Sequence, residues 1–274
     1  MVAILMATYN GEMYVAEQIE SILNQTFSDW VLYIRDDGST DKTVEILESF
    51  RNKCDKINLV TDDYNNKGAK WNFIHLLEIV DADYYMFCDQ DDIWLPNKIE
   101  KSFSSLMKIE QVGIPSLVCC DLRVSNQSLS TIYDSFWKYM KLSPKLLIQR
   151  KYAISCNLFT GCTMMFNRAA KEVSLPVHPT MILHDYWVGL NVIANNGNIS
   201  VISEPLILYR QHQNNVCGAQ PIGKSLSYYI NKIIGINEVI KDYKDKYHMS
   251  NVIFKGKISI VYFLFNRFVY ILRR

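Results

Sequence analysis

The stretch Cys88–Lys101, CDQDDIWLPNKIEK, holds Asp89, Asp91 and Asp92 within four positions, straight after the apolar run Tyr84–Phe87. Carboxylates this close repel one another unless an opposing charge is at hand. A divalent cation supplies one. Spaced D-x-D, Asp89 and Asp91 can offer one carboxylate to Mn²⁺ or Mg²⁺ and another to a ribose hydroxyl, with the ion holding a diphosphate. The plainer reading is a solvated acidic loop capping the next helix, since carboxylates favour helix N-termini. An EF-hand is excluded, because DQDDIWLPNKIE lacks the glycine that its sixth position requires.

Three further clusters carry polar chemistry. In RDDGST, Asp37 can accept hydrogen bonds from a nucleobase N–H or a ribose hydroxyl, or can belong to a turn that feeds a helix cap. In LHDYW, Asp185 sits at a predicted helix start, between His184 and the aromatics Tyr186 and Trp187. It is either a cap or a general base that takes a proton from an incoming hydroxyl. In YRQHQNN, Arg210 can meet a departing diphosphate, and His212 can complete a metal shell or serve structurally.

The elements between these clusters alternate. Strands are predicted over Val2–Met6, Trp30–Arg35, Ile57–Thr61 and Tyr84–Cys88, separated by amphipathic helices over Met13–Gln25, Thr40–Phe50 and Trp71–Val80. A helix beginning near Pro96 runs to Met107. This pattern predicts an α/β fold with a mostly parallel sheet and helices on both faces, and ligands in such sheets bind beyond the carboxyl ends of the strands. ATYNGE, RDDGST and CDQDDIW all fall at such ends. Further on, strands are expected at Leu117–Val124, Leu158–Asn167 and Leu206–Arg210, with a helix over Leu183–Ala194. Ser125–Ala153 has no clear period, and Gly161 permits close approach of a ligand or backbone. The chain divides into 1–217, with halves 1–124 and 125–217, and a C-terminal extension 218–274 that opens on the linker CGAQPIGK.

With 274 residues, 49% hydrophobic and 21% charged, the chain is globular rather than disordered or fibrous. Its seven cysteines are odd in number and lack CxxC spacing, which points to buried thiols in a reducing compartment, not to disulfides or zinc. MVAILMATYN lacks a basic leader and is soon broken by Asn10, Gly11 and Glu12, so it reads as a strand, not a signal peptide. The net charge of +1 hides an asymmetry. From Lys224 onward ten Lys/Arg face three Asp/Glu, a net of +7, leaving −6 before it; after Lys246 no acidic residue occurs. Such a tail suits an anionic surface.

Taken in order and spacing, ATYNGEMYVAEQIESILNQT, VLYIRDDGSTDKT, CDQDDIWLPNKIEK, HDYW and LYRQHQNN resemble the inverting family-2 glycosyltransferases of GT-A fold, over Met1 to about Val216. Within that family the last three look most like bacterial rhamnosyltransferases that build capsule, O-antigen or cell-wall polysaccharides. The resemblance implies a GT-A (Rossmann-like) core plus a C-terminal helical extension. It implies that Thr8, Tyr9, Asn10, Asp37, Asp89, Gln90 and Arg210 meet the donor, that Asp91, Asp89 and His212 hold the metal, and that Asp185 is the catalytic base. Trp94, His184 and Trp187 are expected at the acceptor. YRQHQNN stands where many relatives carry QxxRW, and HD where ED is more usual. The implied donor is dTDP-β-L-rhamnose, or UDP-glucose, UDP-galactose or a UDP-N-acetylhexosamine. The implied acceptor is a lipid-linked saccharide. A sugar nucleotidyltransferase would show a Gly-rich, Arg-containing loop after strand one, which ATYNGEMY lacks; a non-catalytic scaffold would not need Asp37, Asp89, Asp91 and Asp185 intact.

ISIVYFLFNRFVYIL, Ile258–Leu272, is apolar at twelve of fifteen positions and flanked by Lys255, Lys257, Arg273 and Arg274. At about 1.5 Å per residue it reaches roughly 22 Å, short of the roughly 30 Å hydrocarbon core. It is expected either to lie in the inner-leaflet interface or to pack on the catalytic domain. The expected location is cytoplasmic, peripheral to the inner face of the plasma membrane. A homo-oligomer stays open, and no nucleic-acid partner is expected.

Overall fold

The computed structural model describes residues 1–62, 67–213, 215 and 236–273. The predicted linker 217–224 lies outside these residues. The first strand, β1 (Val2–Thr8), is buried at every position, as a strand covered on both faces must be. Its alternate residues face two cores: Ala3, Leu5 and Ala7 one way, Val2, Ile4 and Met6 the other. α1 (Val15–Leu23) buries Val15, Ile19 and Ile22, spaced i, i+4, i+7, against the second core. β2 (Trp30–Asp36), α2 (Thr43–Arg51), β3 (Ile57–Leu59), α3 (Ala69–Ile79) and β4 (Tyr84–Cys88) follow as the alternation predicts.

β1 pairs in parallel with β2 and β4, setting Met6 between Ile34 and Cys88 and Thr8 opposite Asp36. This register aligns the carboxyl ends of the three strands, so the loops after them lie side by side.

The second half departs from a purely parallel layout. After β5 (Ile93–Trp94) and α4 (Lys98–Met107) come β6 (Ser116–Ser125), β7 (Thr131–Tyr133), and the one-turn helices α5 (Phe136–Tyr139), α6 (Pro144–Leu147) and α7 (Arg150–Ala153). Then follow β8 (Met164–Asn167), α8 (Arg168–Ser174), α9 (His184–Ala194) and β9 (Asn198–Arg210). The sheet order is β3–β2–β1–β4–β8–β6–β9–β5, with β7 on β6. β8 runs antiparallel between β4 and β6, while β9 returns parallel to β6. Six described strands (β1–β4, β6, β9) therefore share one direction.

β8 is shorter than the predicted Leu158–Asn167, because Gly161–Thr163 forms a 3-10 turn. β9 is longer than predicted, because its half-exposed first part, with Ser203 and Glu204 exposed before Pro205, hides the strand period. α8 is unpredicted; Asn167 caps it by accepting from the Ala170 N–H (3.0 Å).

Helices α3 and α9 cover one face of the sheet, and α1 and α4 the other. Two C-terminal helices, α10 (Ile236–Ile253) and α11 (Ile260–Arg273), pack on the first face. The Ser250 hydroxyl there donates to the Ile154 carbonyl (2.6 Å).

Candidate active site

Residues 9–12, after β1, are stitched to both neighbouring loops. The Gln90 amide donates to the Tyr9 carbonyl (3.0 Å) and accepts from the Tyr9 N–H (2.9 Å). Gly11 makes this possible, since a Cβ there would stand 2.3 Å from Gln90 Oε1. On the other side the Asn10 N–H donates to Ser39 Oγ (2.8 Å), and Asn10 Oδ1 accepts from the Thr40 N–H (2.9 Å). Asn10 takes φ 46°, a left-handed conformation that asparagine tolerates.

Asp36, which the motif reading passed over, knots the seam. Its carboxylate accepts from the hydroxyls of Thr8 and Ser39 and from the N–H groups of Gly38 and Ser39. The signal for it was local, an aspartate two and three residues before a Gly-Ser turn. Asp37 is buried, accepts from the Gly68 N–H (2.8 Å) and pairs with Arg35 (3.5 Å). Thr8, Asn10, Gln90 and Asp37 thus form the frame of the loops, while the Tyr9 side chain stands 53% exposed.

The carboxylates after β4 crowd as the sequence requires. Burial, then the charges of Asp91 and Asp185, push Asp89 up to about 7. Asp92 is fully buried and raised well above the carboxylate range by burial, then by Asp91 and Asp89. Cys162, from the turn before β8, brings its sulfur close enough that ligand atoms of Asp89, Asp92 and Cys162 lie within 4.8 Å of one another. Nothing in its spacing announced this thiol.

His212, which lies 121 residues further along, reaches Asp91: His212 Nε2 lies 2.8 Å from Asp91 Oδ2. The Tyr14 ring packs against the His212 ring, centroids 4.7 Å apart and tilted by 31°. Arg210, expected on a diphosphate, is instead buried and engaged by the protein. Its Nε–H donates to the Asp91 carbonyl (2.9 Å), one terminal nitrogen to the Gln127 carbonyl (2.8 Å), and the other pairs with Glu17. Its backbone N–H donates to Asp92 Oδ1 (3.1 Å), so Arg210 and Asp92 together pin the end of β9 beneath the acidic loop.

Asp185 opens α9 from a buried position. The Gly161 N–H donates to its Oδ2 (3.0 Å), and Asn157 Nδ2 lies 3.4 Å from its Oδ1. Burial lifts its pKa to about 6 against these bonds. Gly161, which holds Asp185, is followed directly by Cys162, whose sulfur stands within 4.8 Å of a carboxylate oxygen of Asp89, so the 160s turn links two aspartates that lie 96 positions apart.

The three aromatic residues expected at an acceptor are core residues. Trp94 is buried with the Lys98 ammonium 3.4 Å from its ring centroid. Trp187 is buried and donates its indole N–H to the Ser174 carbonyl (2.7 Å). His184 stacks on Phe73 at 4.3 Å and meets Phe87 edge-on at 4.7 Å. Burial pushes it down to about 3, so it is a neutral ring in an apolar slot. α9 is buried on nearly all sides, and Asp185 is its one carboxylate.

The donor set fits a hard divalent cation. Burial and the nearby Asp92 and Asp89 push the Cys162 thiol well up, which favours a neutral thiol beside the two carboxylates over a soft thiolate ligand. The oxygen-rich groups are Asp89 with Asp92, and Asp91 with the His212 imidazole; carboxylate oxygens and an imidazole suit Mg²⁺ or Mn²⁺. A cation there would relieve the mutual repulsion that lifts Asp89.

The crowded carboxylates and the buried Asp92 stand beyond the carboxyl end of β4 in an α/β fold, where such sheets bind ligands. Residues 3–174 match the family described as Glycosyl transferase family 2, and the chain belongs to that family. It is 31% identical over 224 residues to the dTDP-rhamnosyl transferase RfbG of Shigella flexneri, covering 78% of this chain and 74% of that one. It is 29% identical over 221 residues to the UDP-Glc:alpha-D-GlcNAc-diphosphoundecaprenol beta-1,3-glucosyltransferase WfgD of Escherichia coli, covering 79% of each. Among solved structures, S. aureus TarS 1-349 with UDP superposes with TM-score 0.59 at 18% identity, over 77% of this chain and 60% of that chain. The mannosyltransferase PcManGT of Pyrobaculum calidifontis, with GDP-Man and Mn2+, gives 0.55 at 16% identity, over 99% and 74%. At these identities the likeness establishes the GT-A fold.

Proposed function

We propose that the protein is an inverting glycosyltransferase that moves L-rhamnose from dTDP-β-L-rhamnose to a hydroxyl of a growing, lipid-linked bacterial surface polysaccharide. The observation that carries the reading is Asp185, a buried carboxylate with its pKa raised to about 6, held by the Gly161 N–H (3.0 Å) beside Cys162, whose sulfur lies within 4.8 Å of Asp89. At neutral pH most of this group is ionised, yet it is basic enough to accept a proton, the balance a general base needs.

Asp185 takes the proton of the acceptor hydroxyl. The acceptor oxygen bonds to the anomeric carbon as the bond to the donor's phosphate oxygen breaks on the opposite face. The electron pair leaves with the nucleotide diphosphate, and configuration inverts. Asp91, Asp89 and His212 would hold Mn²⁺ or Mg²⁺, which when bound neutralises charge on the diphosphate. Arg210 fixes Asp91 from behind through its main chain, and Gln90 fixes Tyr9, so the carboxylates and the loop beside them are set before the donor arrives.

The rhamnosyl donor is supported by the likeness to RfbG. A second reading keeps the chemistry and takes UDP-glucose, supported by the nearly equal likeness to WfgD. The test is nucleotide diphosphate release from a panel of nucleotide sugars with a lipid-linked saccharide acceptor, with Mn²⁺ and with chelator. Turnover with dTDP-β-L-rhamnose alone supports the first reading, and turnover with UDP-glucose alone the second. Release of pyrophosphate would mean a nucleotidyltransferase, and no turnover with any donor would leave a scaffold.

A further inference from the structure

α11 has two apolar faces, and the fold uses only one. Phe263, Asn266 and Tyr270 point inward and are buried. Tyr270 accepts from the Ser143 N–H (3.2 Å) and meets the Tyr152 ring at 5.8 Å, while Phe263 meets Tyr247 at 5.6 Å. On the opposite side Val261, Phe265, Phe268 and Leu272 are 74%, 62%, 59% and 69% exposed. At about 100° per residue these four fall within roughly 60° of arc, centred about 180° from the buried three. Leu264 widens the stripe at 48% exposed.

The rim of this stripe is basic. Lys255 and Lys257 precede the helix, Arg273 ends it, and all three are exposed. On its buried side α11 meets, through Tyr270 and Tyr152, the segment around α6 and α7, where Lys141, Lys145 and Arg150 are exposed. The sequence has no acidic residue between Asp134 and Glu172, nor after Asp245. The acidic residues of α10 include Asp242, which pairs with Lys246.

We propose that this face of α11 is a docking surface for an anionic phospholipid bilayer, with the exposed stripe entering the interface and the Lys/Arg rim meeting the headgroups. Charge selects this occupant. A lipid surface of negative sign complements the rim, whereas a two-fold pairing of two copies through the stripe would bring like-charged rims together. Length sets the mode of binding. No helix among the described residues is long and apolar enough to cross a membrane, and α11 at about 1.5 Å per residue spans roughly 21 Å. The helix therefore lies along the surface, already held to the catalytic core by its inner face.

The inference does not depend on the identity of the donor or on turnover. The test is flotation of the full chain with vesicles of phosphatidylcholine alone and with about one third phosphatidylglycerol, at low and high salt. Binding to the anionic vesicles, falling about tenfold or more when Phe265→Asp and Phe268→Asp are combined, supports the surface. Lys255→Glu with Lys257→Glu should weaken anionic binding as well. Circular dichroism and melting of both double variants keep the test clear of misfolding. Absence of flotation by the wild type overturns the proposal, and so does binding indifferent to both double variants. A concentration-dependent dimer, seen by sedimentation equilibrium and abolished by the Phe pair, overturns it in favour of a second copy.

Discussion

Replacing Asp185 by Asn separates the base's chemistry from the burden of burying it. Burial lifts the carboxyl from 3.8 to about 6, against the pull of hydrogen bonds from Tyr186, Gly161 and Asn157. The folded-state pKa lies above the unfolded one. The group's favourable contribution is therefore complete only below pH 3.8 and is lost as pH rises through about 6. At neutral pH this disfavours the wild-type fold by roughly 3 kcal/mol. An amide carries no such charge, but its NH₂ end cannot accept the bonds that Gly161 and Tyr186 donate, and one lost bond costs about 1 kcal/mol. D185N should therefore gain roughly 2 kcal/mol at neutral pH, a Tm rise of about 4–8 °C. Near pH 4.5 the charge penalty shrinks to about 1 kcal/mol, the two effects cancel, and the melting curves should coincide. Transfer should fall about 10²–10⁴-fold while donor affinity stays unchanged. Differential scanning calorimetry at both pH values, with calorimetric donor titration and a transfer assay, reads all of this. A variant destabilised equally at both pH values would refute the buried charge, and near-normal transfer would refute the base.

Wild-type kcat/KM should rise with pH through about 6 and then level, measured with saturating cation, and the limb should vanish in D185N. Gly11→Ala sets a Cβ against Gln90 Oε1 and breaks the clamp on Tyr9. It should raise the donor KM about tenfold and lower stability by about 1–2 kcal/mol, read by kinetics and urea unfolding. His212→Ala should weaken Mn²⁺ binding about 10–100-fold in a calorimetric titration, with the fold unchanged. Gly161→Ala would bring a Cβ to 2.7 Å from His184 Nε2, in a ring slot that cannot open. A loss of about 1–3 kcal/mol together with reduced transfer is expected, because the Gly161 N–H also holds Asp185.

Local spacing carried much of the core. The fully apolar run of β1 and the i, i+4, i+7 stripe of α1 each read correctly because a strand or helix period needs only near neighbours. The placement of ATYNGE, RDDGST and CDQDDIW at strand ends followed directly, as did the crowding of Asp89, Asp91 and Asp92, since three carboxylates so close in sequence stay close in any fold. Short or irregular elements were less legible. β9 is continuous, but exposed Ser203 and Glu204 and the proline after them mask its period, and the one-turn helices α5 to α7 are too short to show one.

What the tertiary structure alone decided is who meets whom across the chain. His212 reaches Asp91, Cys162 reaches Asp89 and Asp92, and Arg210 turns from a free cation into a buried clamp. Trp94, His184 and Trp187 look like a saccharide platform in sequence, yet each fills a core slot, because an aromatic ring suits a binding face and an interior equally well. The same ambiguity governed α11, apolar on both sides in sequence. Only packing shows that Phe263 and Tyr270 hold the helix to the core while Phe265 and Phe268 face outward. Hydrophobicity states that a side chain prefers to leave water; the long-range contacts of the fold determine which surface receives it.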